Sequence, residues 1–219
     1  MTRLDVRRGE AQHQTLSRSG DSYSVSVSNR DAGLPIGPGT MADVLQKTAP
    51  VIEAVGKCVT SFATGQFRFP NIERAWCDAA YWLHEALAET LDSIAFAKLE
   101  TALEVLVCAE NTAGSGSRIE SILAAFYGLS PNDMITSNSS TTAKQFVKGI
   151  VRDRSRILHG TWSTLNSHPA MNRRSTEEFV IAVIRRTAME LVAYANTAAP
   201  SDQIEAFLMW VKSKNQPTP

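Results

Sequence analysis

The run Arg154-Ser155-Arg156-Ile157-Leu158-His159-Gly160 brings together side chains that bind anions and move protons. A histidine moves protons near neutral pH, an arginine fork meets phosphate oxygens, and a hydroxyl adds a hydrogen bond. Val147, Ile150, Val151, Ile157 and Leu158 mark the apolar face of a helix through this segment, and Arg154 falls on the same stripe. A guanidinium there needs a carboxylate or a phosphate to meet it. Glu104, inside the apolar stretch 102–109, is the first candidate for a partner, and Glu100, one turn earlier, is the second. At about 100° per residue, Arg152, Ser155, Arg156 and His159 share an adjacent arc with Arg154 to its side. An arginine, a histidine and a hydroxyl could then converge where two such helix ends meet. A plainer account also exists: the helix dipole favours basic residues in a last turn, and His-Gly is an ordinary helix ending. In that account Arg152 and Arg156 are solvated charges.

The elements that must position this segment are helical. Residues 42–64 place Val44, Leu45, Ala49, Ile52, Val55 and Val59 near one face, with Pro50 expected to kink or divide the helix. Asn71 is a plausible N-cap for a helix over 72–90, and Asp92 for one running to 110. Residues 111–117 (NTAGSGS) read as a flexible loop before a short helix over 118–127. Thr141 or Thr142 opens the helix that reaches His159, with Gly160 closing it. Ser175 to Glu178 has the form of a capping box for a helix over 176–197, and Ser201 or Asp202 opens a last helix to about 212. The chain therefore reads as an all-α bundle over 41–215. Residues 1–40 form a polar arm, with 1–20 disordered or loosely attached and SYSVSVS (22–28) carrying one strand pattern.

Composition narrows the function. Of 219 residues, 22 are Lys or Arg and 22 are Asp or Glu, so the net charge is zero. That excludes a generic nucleic-acid-coating protein and leaves room for a locally basic cleft. Cys58, Cys77 and Cys108 are scattered and odd in number, which fits neither a zinc site nor a disulfide framework and suits a reducing cytoplasm. No run of 18 apolar residues occurs and the basic N-terminus lacks a signal peptide's apolar core, so a cytoplasmic protein is expected, with no membrane partner, metal or cofactor. His84 reads as a packed core histidine, Trp76 and Trp82 as core or interface, and Asn172-Arg-Arg174 as a solvated basic loop.

RSRILHG resembles the R-x(4–6)-H signature of the HEPN domains, with Arg154 and His159 in the arginine and histidine positions. Lys98-Leu-Glu-Thr-Ala-Leu-Glu-Val-Leu106 is similar to the "tALEaLl" helix of the Apea-like HEPN group, whose later helix ends in RSxxxHG. Ser117-Arg-Ile119 and Asn71-Ile-Glu-Arg-Ala75 fit that group's layout too, so the likeness spans roughly 70–197. The resemblance implies a homodimer in which two such helix ends form one cleft that cleaves single-stranded RNA without metal, as a toxin or antiviral effector. It implies His159 as general acid or base, Arg154 on the phosphate, and Arg152, Ser155 and Arg156 as RNA contacts. The alternatives are a non-catalytic HEPN module that binds RNA, a nucleotide or a partner protein, and a plain helical scaffold.

Overall fold

The computed structural model describes residues 12–19, 22–29, 38–108, 112–136, 140–161, 172–198 and 200–215, the first two segments as backbone alone. Among these, seven helices follow a hairpin: β1 (Gln12–Ser19), β2 (Ser22–Asn29), α1 (Pro38–Thr64), α2 (Pro70–Leu87), α3 (Asp92–Leu106), α4 (Thr112–Tyr127), α5 (Ala143–Leu158), α6 (Arg173–Tyr194) and α7 (Ile204–Asn215). The helical portion is the expected all-α bundle. The strand read at 22–28 is β2, and it has a partner. β1 pairs with it antiparallel, Gln12 opposite Asn29 and Ser19 opposite Ser22. The segment read as disordered thus supplies a strand.

α3 is the centre of the bundle. Ala95, Phe96, Leu99, Ala102, Leu103 and Leu106 are buried, and so are Ser93 and Glu100. A helix covered this fully has neighbours around most of its circumference. α2, α5 and α6 all pack on it, and α4 touches it as well. Phe96, Leu99 and Leu103 have no exposed surface, and full burial of such a side chain contributes about 1.5–3 kcal/mol.

Helix ends are fixed by side chains from other elements. α2 starts at Pro70 rather than after an Asn71 cap: proline at the first position forgoes an N–H that would lack a partner anyway. The carboxylate of Asp202, far along the chain, accepts from the Asn71 and Ile72 N–H groups at 2.9–3.1 Å. Buried Glu73 reaches back to the Arg68 and Phe69 N–H groups at 3.1 and 2.9 Å. α6 begins three residues earlier than the Ser175 box suggests, because the Asn172 side chain caps the Ser175 N–H. Arg173, placed by the sequence in a solvated loop, is buried instead. It donates to Glu177 at 2.6 Å, to Asp92 at 2.8 Å, and to the Ala86 and Glu89 carbonyls at 3.2 and 2.9 Å. One guanidinium thus ties the α2–α3 turn to the start of α6, using the fork geometry that lysine lacks.

Other sequence readings change as well. His84 is exposed, so it is not a core histidine. Trp76 is buried and donates to the Ile184 carbonyl at 2.8 Å. Cys58 is buried, Cys77 half-buried and Cys108 exposed, all three free. Burial pushes the Cys58 and Cys77 thiols up to about 12 and about 11, which keeps both protonated and poorly reactive. Trp162, just past the α5 segment and read from the sequence as packing on the bundle, and His168, read as exposed, lie outside the described residues.

Candidate functional site

α5 carries the residues singled out above, and its start and end are both well specified. Thr142 and Gln145 form a reciprocal capping box, the Gln145 N–H donating to Thr142 Oγ1 at 3.2 Å and the Thr142 N–H to Gln145 Oε1 at 2.9 Å. Phe146, Val147, Ile150 and Ile157 are buried against α3 and α4. At the other end His159 is the C-cap and Gly160 has a positive φ of 66°. The Gly160 N–H donates to the Ile157 carbonyl at 3.1 Å and the Thr161 N–H to Arg156 at 3.0 Å, the paired bonds of a Schellman ending. The imidazole therefore sits beyond the last helical turn, on an exposed residue.

Arg154 turns the other way, into the bundle. Its Nη2 lies 2.8 Å from Glu104 Oε2 and its Nε 3.3 Å from Glu100 Oε2. Both carboxylates weighed from the sequence take part. The Glu104 contact is the closer; the Glu100 approach is an ion-pair distance without hydrogen-bond alignment, and neither Arg154 Nε nor Glu100 Oε2 has a hydrogen-bond partner among the described residues. Glu100 has no exposed surface, whereas a fifth of the Arg154 side chain is open. Desolvation, and secondarily the Glu104 charge, push the Glu100 carboxyl up to about 8 in spite of Arg154 and the Ser115 hydroxyl. Glu100 is therefore chiefly protonated at neutral pH, and Arg154 and Glu104 form the charged pair beside it.

Ser115 belongs to the stretch read as a loop. It is buried, and its hydroxyl donates to Glu100 Oε1 at 3.3 Å. Residues 112–117 are helical here because α4 packs on α5 and α7, which outweighs the weak helix propensity of two glycines and two serines. Asp153 was not singled out by the sequence reading. It is fully buried, and its Oδ1 meets Arg152 Nη2 at 3.0 Å and Nε at 3.1 Å. Its signal was available: 153 follows Ile150 by three and precedes Ile157 by four, on the inward face. Arg152 is thus folded onto its neighbour and is not a plain solvated charge, with its side chain half exposed.

The structure accordingly separates the motif into two groups. Arg152, Ser155, Arg156 and His159 lie along one side of α5, with Ser155 half-buried and Arg156 and His159 exposed. Arg154 faces α3, and five residues place it about 140° around the axis from His159. One chain does not bring Arg154 and His159 onto a common face. Among the described residues no group of three His, Cys, Asp or Glu side chains could hold a metal ion, and no helix is long and apolar enough to cross a membrane. No family model, curated protein or solved structure matches the chain.

Proposed function

We propose that the C-terminal end of α5 is half of a metal-independent endoribonuclease site for single-stranded RNA, completed by the same helix end of a second copy. The observation that supports this reading is an exposed imidazole held at a rigid helix terminus, one turn from Ser155 and on the same side as Arg152 and Arg156. In the proposed reaction His159 takes the proton of a ribose 2′-hydroxyl as its oxygen attacks the adjacent phosphorus. The P–O5′ bond breaks, and a protonated imidazole, that of the second copy, returns a proton to the leaving 5′-oxygen. The products are a 2′,3′-cyclic phosphate and a 5′-hydroxyl. Arg152 and Arg156 hold backbone phosphates and Ser155 adds a hydrogen bond. Arg154 fixes α5 against α3, and the exposed fifth of its side chain is what a phosphate can reach. An enzyme of this kind would act as a toxin or anti-phage effector, in the cytoplasm.

One observation favours a second reading, in which the chain is a non-catalytic HEPN-like module that binds RNA, a nucleotide or a partner protein. Arg154 is already paired with the Glu104 carboxylate at 2.8 Å, so its charge is largely spent inside the fold. The experiment that divides the readings compares wild type with His159→Ala on single-stranded RNA. Loss of cleavage by about 100-fold or more, with an unchanged melting temperature, supports the enzyme. Binding without cleavage by wild type supports the second reading. Equal cleavage by His159→Ala refutes the mechanism.

A further inference from the structure

α1 carries an apolar seam that its own bundle leaves in water. Positions 41, 45, 48, 52, 55, 59 and 62 follow one another by alternating steps of four and three, the spacing that keeps one stripe turned toward a partner helix. Met41, Leu45, Ile52, Val59 and Phe62 on this seam are 43–60% exposed. The bundle takes the neighbouring face, the one bearing buried Ala54 and Cys58, and Val55 at the edge of the seam packs half-buried against it. Thr48 is the polar residue of the seam, and its hydroxyl is taken up by the Val44 carbonyl at 2.7 Å, to which it donates. Pro50 is exposed and lies opposite the seam.

We infer that this seam pairs with α1 of a second copy of the chain. The positions flanking it decide the kind of partner. On one side stand Ala42, Ala49, Gly56 and Ala63, on the other Val44, Val51 and Cys58. None is charged, so nothing selects an oppositely charged partner and nothing repels an identical one. The small residues on the first side also let a second helix backbone come close. The uncovered side chains leave on the order of 500 Å² of apolar surface, within the roughly 300–600 Å² of the largest patches on monomers, which are often functional, and pairing two copies hides up to about 1,000 Å², the lower bound for specific association. α1 packs chiefly on α6 and α2, whereas α5 packs on α3 and α4, so this surface is separate from the α5 end and does not depend on the nuclease reading.

Sedimentation equilibrium of the full chain between about 1 and 100 µM tests the inference. Wild type is expected at twice the 23.9 kDa chain mass through the seam alone, and at four times that mass where the α5 ends pair as well. Leu45→Gln and Ile52→Glu are each expected to raise the dissociation constant by about 100-fold or more. Helix content should be retained, since Leu45 lies in a part of α1, residues 39–50, with no buried residue. Thr60→Glu, exposed and off the seam, is expected to keep the wild-type mass. A one-chain mass for wild type overturns the inference, including the case in which a different protein covers the seam. So does a wild-type mass that neither seam substitution lowers; association then belongs to another surface, such as the α5 end, and the nuclease reading stands.

Discussion

Replacing Glu100 by glutamine tests how the interior behind Arg154 is charged. Glutamine copies the shape of a protonated glutamate and keeps an acceptor for the Ser115 hydroxyl, 3.3 Å from Glu100 Oε1. The folded-state carboxyl titrates near 8, raised by burial from an ordinary 4.5. Between those values the unfolded chain has released the proton and the folded chain retains it. Folding then takes up a proton, so stability present below about pH 4.5 is lost as pH rises toward 8, by about 1.4 kcal/mol per unit. Glutamine has no such dependence. From pH 5.5 to 7.5 the stability difference should therefore move in favour of Glu100→Gln by about 2–3 kcal/mol. Urea unfolding of both proteins at the two pH values measures this, and melting temperatures should diverge by roughly 5–10 °C. A difference that is flat with pH, or that moves toward wild type as pH rises, refutes the reasoning. The flat result would mean that Glu100 is already ionised in the folded chain at pH 5.5 and that its 3.3 Å approach to Arg154 is a stabilising ion pair.

Arg173→Met removes four hydrogen bonds and leaves Glu177, 1% exposed, without its cation; a loss of about 3–5 kcal/mol is expected from denaturant midpoints. Gly160→Ala meets no neighbouring atom within 4 Å but must hold φ at 66°, so it should cost about 1 kcal/mol by backbone strain alone, seen as a small drop in melting temperature. Thr142→Ala breaks the capping box of α5 and should cost about 1 kcal/mol in the same assay.

The helices were legible where an apolar repeat coincided with a local stop signal, as at Thr142 and Gly160 on α5. Arg154 and its two carboxylates were legible for a related reason: a charge in an apolar run cannot be left alone, so each end of the pair announces the other. Arg173 was legible only in part: Glu177 lies one turn along the same helix, but Asp92 and the Ala86 and Glu89 carbonyls come from around the α2–α3 turn, and nothing near 173 in the sequence announces them. Ser115 shows the same limit from the other side, a glycine-rich stretch turned into helix by what packs on it. β1 could have been found from Gly20-Asp21, a two-residue hairpin signal between QHQTLSRS and SYSVSVSN, though its polar residues hid the alternation. α1 marks the plainest boundary. Its periodicity announces an apolar face, but the chain's own helices cover a neighbouring one, and no pattern within a single sequence says which face is shared with another molecule.

A histidine-dependent cleavage of RNA at the end of α5 would leave its signature in the chemistry of the cut ends. Single-stranded RNA digested by the purified chain in EDTA should yield fragments ending in 2′,3′-cyclic phosphate and beginning with 5′-hydroxyl, resolved by mass spectrometry, with none formed by His159→Ala. Fragments carrying 3′-hydroxyl and 5′-phosphate, cleavage abolished by EDTA, or the same products from His159→Ala would contradict it.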